Sequence, residues 1–141
     1  MKVKYLLDEG AWAPRKAHEY DAGYDLMVKE GNKLIIPEQG SIVVDTGVHM
    51  NIPKYYRGSV VGRSGLNFKN SIICPTGTID SGYTGSIMVK LYNLGDSPYI
   101  LNGGDRIAQL VISPIADVEL DRIGRLENTE RGDGGFGSTG R

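Results

Sequence analysis

Apolar residues along this chain come in short, mostly β-branched runs, and most runs are closed by Gly, Pro, Asn or Asp. Val3 and Tyr5 alternate with lysines. Leu34-Ile35-Ile36 ends at Pro37, and Ile42-Val43-Val44 follows Gly40. Ser59-Val60-Val61, Ile72-Ile73, Ile87 to Tyr92, Tyr99 to Leu101 and Ile107 to Ile112 continue the series. Runs of this kind, at about 8–12-residue spacing, predict the strands of an all-β sandwich or barrel. No window sustains a 3.6-residue period over several turns. One short helix is predicted, capped by Ser64 and carried by Leu66, Asn67, Phe68 and Lys69. Thr78-Ile79 and Ile87 to Tyr92 are predicted as antiparallel partners, with Asp80 to Gly85 as the hairpin connection.

From about Asp121 the pattern changes. The chain becomes polar and glycine-rich, and TERGDGGFGSTGR has almost no core-forming residues. Residues 1–126 are expected to form the β core. Residues 127–141 are expected to be an arm, mobile without a ligand or partner.

Composition narrows the class. A chain of 141 residues is one domain's worth, and at this size roughly 68–70% of the unfolded surface can be buried. With 40% hydrophobic and 23% charged residues it reads as an ordinary globular protein. A net charge of −1 leaves no bulk basic field for a nucleic-acid polymer, although a local basic pocket is possible. Cys74 is the only cysteine, so no intrachain disulfide can form. No apolar run approaches the roughly 20 residues of a membrane span, and MKVKYLLDEG has no signal-peptide apolar region. The expectation is a soluble cytoplasmic protein that engages no membrane; in a viral source it would sit in the host cytoplasm.

Five stretches hold the residue types that chemistry needs, and each also has a structural reading. In GTIDSGYTG, Gly77 to Gly85, a carboxylate and an aromatic three residues apart can face one pocket; equally, Asp80 serves a turn and Tyr83 packs on a sheet. In GRSGL, Gly62 to Leu66, Arg63, Ser64 and Gly65 open a helix whose free N–H groups suit a phosphate, or simply form a helix start with an exposed arginine. GGDRIAQLVISP, Gly103 to Pro114, places Gln109 as a polar interruption in an apolar strand, which also fits an edge or half-exposed strand. In AGYDL, Ala22 to Leu26, Asp25 sits among apolar neighbours. If buried it needs a partner, and Arg63 or Arg106 is the natural one. RGDGGFGSTG, Arg131 to Gly140, combines a cation, an aromatic face and two hydroxyls among five glycines. That suits a flap over a phosphorylated ligand, or a disordered tail. No GK[ST] follows, so the tail is not a P-loop.

In this order and spacing, AGYDL, GRSGL, GTIDSGYTG, GDRIAQL and RGDGGFGSTG resemble the five motifs of the trimeric dUTP pyrophosphatase (dUTPase) family. The match runs from residue 22 to residue 140. The resemblance implies a β jelly-roll protomer in a homotrimer, with active sites at subunit interfaces, each closed by another subunit's C-terminal arm. It implies hydrolysis of dUTP to dUMP and pyrophosphate, lowering dUTP and supplying dUMP for thymidylate synthesis. Asp80 would activate the water that attacks the α-phosphorus. Tyr83 would pack under the deoxyribose, and backbone around Gly77 and Ile79 would read the uracil edge. Ser64, Gly65 and Gln109 would hold the α- and β-phosphates, with Arg63 nearby. Arg131, Gly137, Ser138 and Thr139 would close on the γ-phosphate, and Phe136 would stack on the uracil. Asp25 would brace the site, supported by Arg106. Mg²⁺ would ride on the triphosphate and water, with no direct protein ligand.

The departures from the family pattern are modest. Many members carry a second acid where this chain has Ser81 and Gly82. Bacterial relatives often have asparagine near the uracil where this chain has Cys74. Gly62 replaces a frequent proline. A dCTP deaminase shares the fold family, and a regulatory protein could keep the fold and bind nucleotide or protein without turnover.

Overall fold

The computed structural model describes residues 1–135. Ten strands and one short helix follow in the order β1 (Lys4–Leu7), β2 (Gly23–Met27), β3 (Lys33–Ile36), β4 (Ser41–Asn51), β5 (Tyr56–Gly62), α1 (Ser64–Asn70), β6 (Ile72–Ile73), β7 (Gly77–Ile79), β8 (Ser86–Asn93), β9 (Tyr99–Asn102) and β10 (Arg106–Pro114). Two four-stranded sheets run β1-β4-β8-β6 and β2-β10-β5-β7, with β3 and β9 as a separate pair. Every strand pairing is antiparallel. The result is the predicted all-β, jelly-roll-like sandwich with one short helix.

The core is where the inner faces of the sheets meet. β8 shows why: Ile87, Val89, Leu91 and Asn93 are buried, while Met88 and Tyr92 face out. Against that face come Leu26 of β2, Val60 of β5, and Ile107, Ala108 and Leu110 of β10. Each fully buried Leu or Ile contributes about 1.5–3 kcal/mol relative to exposure. Buried polar groups are paired. Asn93 Nδ2 donates to the carbonyls of Ile36 (3.1 Å) and Ser97 (2.8 Å), and the Thr46 hydroxyl donates to the Ile87 carbonyl at 2.7 Å.

Four expectations are corrected. β7 and β8 are not a hairpin: β7 pairs with β5, whereas β8 pairs with β4 and β6. Residues 80–85 therefore cross from one sheet to the other, because closeness in sequence promises a connection but not a pairing. β10 is no edge strand, since it lies between β2 and β5, although it is half-exposed as the other reading had it. Ser64 is not the helix cap. Arg63 holds the extended cap position (φ −91°, ψ 129°) with no side-chain capping bond, and Ser64 is the first helical residue. Finally, β4 extends far past Val44. Its buried positions are Val44, Thr46, Val48 and Met50 together with Gly47, and the polar residues between them hide the alternation.

A register shift between Asp45 and His49 marks that stretch of β4. Gly47 lies within it at φ +65°, a left-handed conformation that strains any residue with a Cβ. A Cβ there would also come 2.5 Å from Lys29 Cε and 2.9 Å from Ala11 Cβ. Gly47→Ala is expected to lower stability by about 1–3 kcal/mol, read as a fall in the urea midpoint at unchanged slope.

Candidate active site

The site is built on two strand ends and one crossing. β7 is the outer strand of its sheet and is paired only with β5, so the backbone N–H and C=O groups along its far side have no strand partner among the described residues. Where β7 ends, Asp80 begins a turn closed by Tyr83 N–H donating to the Asp80 carbonyl at 3.2 Å. Gly82 supplies the positive φ, +89°, that the third turn position needs. The Tyr83 hydroxyl folds back and donates to the Ser86 carbonyl at 3.0 Å. Gly77, Ile79, Asp80 and Tyr83 line one cavity of about 270 Å³ together with Val60, Thr78 and Met88. Asp80 and Tyr83 are both exposed within the single chain.

A second cavity, of about 300 Å³, is lined by Arg63, Ser64 and Cys74 among others. It shares no lining residue with the first. No side chain caps α1, so among the described residues the first N–H groups of the helix have no side-chain partner, and the Ser64 hydroxyl sits beside them. Cys74 lies here, in the Arg63–Ser64 cavity and not in the Asp80–Tyr83 one; burial raises its thiol pKa and keeps it protonated.

Behind this second cavity stands the buried carboxylate of Asp25, 3% exposed. Arg63 Nε lies 3.3 Å from its Oδ1 and Arg106 Nη1 lies 3.3 Å from its Oδ2, so both arginines named as candidates are partners. Gln109 Nε2 donates to Oδ1 at 3.3 Å from the residue directly opposite on β10. Arg106 and Gln109 are three apart and would face opposite ways in a regular strand. A register shift between Arg106 and Ala108 inserts one residue and brings both to one face. Arg63 Nη1 also donates to the Arg106 carbonyl at 3.2 Å.

β10 ends at Pro114, and residues 115–135 carry no strand or helix. Arg131 lines neither cavity; its Nε donates to the Gly134 carbonyl at 2.9 Å. Phe136, Gly137, Ser138 and Thr139 lie outside the described residues. Val60, Thr78 and Met88 line the first cavity without having stood out in the sequence. Met88 carried a signal, as an outward apolar residue in an otherwise regular alternation.

An open strand edge with an acid and an aromatic beside it, and a separate cavity lined by a cation and a hydroxyl, are the candidate site on this β sandwich. The whole chain also resembles known proteins. A family model described as dUTPase matches residues 9–140. The chain is 42% identical to a deoxyuridine 5'-triphosphate nucleotidohydrolase of Anaplasma marginale (strain St. Maries), covering 99% of each sequence. It is 41% identical to the protein of that description in Paramecium bursaria Chlorella virus 1, over 98% of this chain and 96% of that one. Among solved structures it resembles a point mutant of the Staphylococcus bacteriophage 80alpha dUTPase with dUpNHpp, at TM-score 0.92 and 31% identity over 99% of each chain. It also resembles a point-mutant dUTPase from phage phi11 of S. aureus, described with a structural Mg(II) ion, at TM-score 0.83 and 30% identity over 91% of this chain and all (100%) of that one. The chain belongs to the dUTPase family. No helix among the described residues is long and apolar enough to cross a membrane.

The Asp25 network makes a separable prediction. Asp25→Asn removes the charge that holds two guanidinium groups, and is expected to cost about 1–3 kcal/mol of stability. It should also raise KM for a triphosphate substrate, because Arg63 loses its anchor. A melting curve and a KM measurement on the same preparation check both.

Proposed function

We propose that this chain hydrolyses dUTP to dUMP and pyrophosphate with Asp80 as the base that activates water. The observation that carries the proposal is the single cavity shared by the open edge of β7, Asp80 and Tyr83. A uracil edge alternates carbonyl acceptors with one N–H donor, which matches the groups along a free strand edge. The Tyr83 ring supplies a flat face for the deoxyribose at the same turn. Asp80 takes a proton from water as its oxygen bonds to the α-phosphorus, and the bond from that phosphorus to the bridging oxygen breaks as pyrophosphate leaves. Arg63, the Ser64 hydroxyl and the N–H of Gly65 meet the charge that develops on the leaving side. Gln109 joins them on the α- and β-phosphates, and Asp25, supported by Arg106, holds Arg63 in place for this. Arg131, Phe136, Gly137, Ser138 and Thr139, in an arm of residues 127–141 after the 1–126 core, complete the reading as the closing segment.

The family implies Mg²⁺. Both Asp25 oxygens already face donors, and no group of three or more His, Cys, Asp or Glu among the described residues could hold a metal. Mg²⁺ keeps several waters and takes phosphate oxygens readily, so it fits as an ion carried by the triphosphate, where it would neutralise charge. The two cavities also support a homotrimer with shared sites. Asp80 and Tyr83 are exposed and line one cavity while Arg63 and Ser64 line another, so a neighbouring subunit that joins the two kinds of surface would complete a site. As intracellular metabolites, deoxynucleoside triphosphates imply a cytoplasmic setting, or host cytoplasm for a viral source.

Asp80→Asn is expected to retain nucleotide binding and to lose about 10²–10⁴-fold in kcat. A pyrophosphate-release assay with dUTP, dTTP, dCTP and UTP in Mg²⁺ measures this, and full activity of the variant would sink the assignment. Wild-type protein should turn over dUTP alone; ammonia from dCTP would point to deamination instead. Deleting everything after Leu126 should leave an intact trimer with little hydrolysis, measured by light scattering and the same assay.

A further inference from the structure

The 80–85 connection is tied from behind by polar contacts that the site itself does not use. His49 lies on β4 between Leu6 of β1 and Ser86 of β8. Its Nδ1 is 2.8 Å from the Thr84 carbonyl oxygen, and its Nε2 is 3.0 Å from Asp8 Oδ1. A carbonyl oxygen and an ionised carboxylate are both acceptors only. Both contacts are hydrogen bonds only when both ring nitrogens carry protons. A neutral ring keeps one bond and turns a lone pair toward an oxygen at the other.

The near carboxylates favour the imidazolium, while the ammonium groups of Lys29 and Lys4 work against it. Asp8, just after β1, and Asp45, on β4, are the near carboxylates. Lys29, after β2, bridges them at 3.4 Å and 2.8 Å. Lys4 and Tyr5 of β1 line the same cavity as His49 and Thr84. The Ser86 hydroxyl donates to Asp45 Oδ1, and the Gly47 N–H donates to that oxygen at 2.9 Å. The bond to Thr84 first, and then Asp8, hold the His49 pKa above its ordinary value against partial desolvation.

We propose that His49 is a positioning residue: as an imidazolium gripped by Asp8 and the Thr84 carbonyl, it fixes the connection that carries Asp80 and Tyr83 for catalysis. The inference rests on the assignment of Asp80 as the base. Because the folded-state pKa is raised, the tie is fully present below about pH 6.5, the ring's ordinary value, and is lost as pH rises through the raised one.

The chain has two histidines, and His18 has an 85% exposed side chain outside the site. Ring ¹⁵N shifts of full-length His18→Gln protein therefore report His49 alone. At about pH 6.5, the ordinary histidine value, the ring is expected to be more than half doubly protonated. The kcat for dUTP should fall as pH rises through that same titration, with KM changing less than kcat. In Asp8→Asn the ring titration and the alkaline limb of kcat should move to lower pH together. His49→Gln keeps a donor for Thr84 but cannot titrate. It should lose that limb and run at roughly a tenth of wild-type kcat, well within the roughly 10²-fold that a misplacement of about 1 Å can cost. A ring mostly neutral at that pH overturns the proposal. So does an Asp8→Asn protein whose ring titration moves while the kcat limb stays. Failure of the Asp80 assignment would appear instead as turnover surviving Asp80→Asn, with the His49 titration unchanged.

Discussion

Six residues, 80–85, must carry the chain from the sheet that ends in β7 to the sheet that holds β8. Packed sheets lie about 10 Å apart, and six residues can reach about 20 Å when extended. The connection is thus longer than the gap, and the slack has to be taken up or the site has no fixed geometry. The turn from Asp80 to Tyr83 takes up part of it, the Tyr83 hydroxyl on Ser86 takes up more, and His49 holds the Thr84 carbonyl. A pairing of β7 with β8 would have removed this crossing. It would also have denied β7 its place beside β5, with an outer edge left open for a ligand.

The other half of the site is held by a different kind of force. Asp25 is a buried charge, and a buried ion pair is weak evidence for stability because desolvation offsets most of the attraction. Its value here is geometric. Arg63, Arg106 and Gln109 come from β10 and from the junction of β5 with α1, and one carboxylate sets all three. The bulge in β10 makes this possible by turning Arg106 and Gln109 to one face. The arginines are 24% and 43% exposed on their side chains, so their outer donors remain open to an anion.

Much of this is legible in the residues. The strand of Ile87 to Tyr92 is readable because its period of two has no interruption. Asp25 is readable because a buried acid demands a cation, and the chain offers Arg63 and Arg106. The Asp80–Tyr83 pocket is readable through the family resemblance more than through the turn itself. What escapes depends on long-range pairing or local irregularity. Patterning cuts β4 short because Asp45, Thr46 and Gly47 look like a turn. It pairs β7 with β8 because a short link that crosses layers looks the same as one that reverses a strand. It makes Ser64 a cap because a hydroxyl usually sits there, whereas here Arg63 occupies the extended position. His49 gives no signal, since its partners Asp8 and Thr84 lie 41 and 35 residues away.

The ties behind the 80–85 connection differ in how they answer to pH. The Lys29 ammonium, followed by the Ser86 hydroxyl, holds the Asp45 pKa down at about 2. A depressed carboxylate contributes stability above its unfolded value, 3.8, and loses it as pH falls through the folded one. Lys29 is shifted the other way, upward from 10.5, chiefly by Asp45, so it stays charged through neutral pH. The Asp45–Lys29 pair is therefore in one state across the whole neutral range. With its carboxylate side chain 44% exposed, screening also limits what the pair is worth. His49 has the opposite sign and a starting value within that range. Of the groups in this network it is the one whose charge changes near neutrality. A change in the 80–85 connection between mildly acidic and mildly alkaline solution therefore traces to His49, while Asp45 and Lys29 hold the frame against which the ring moves.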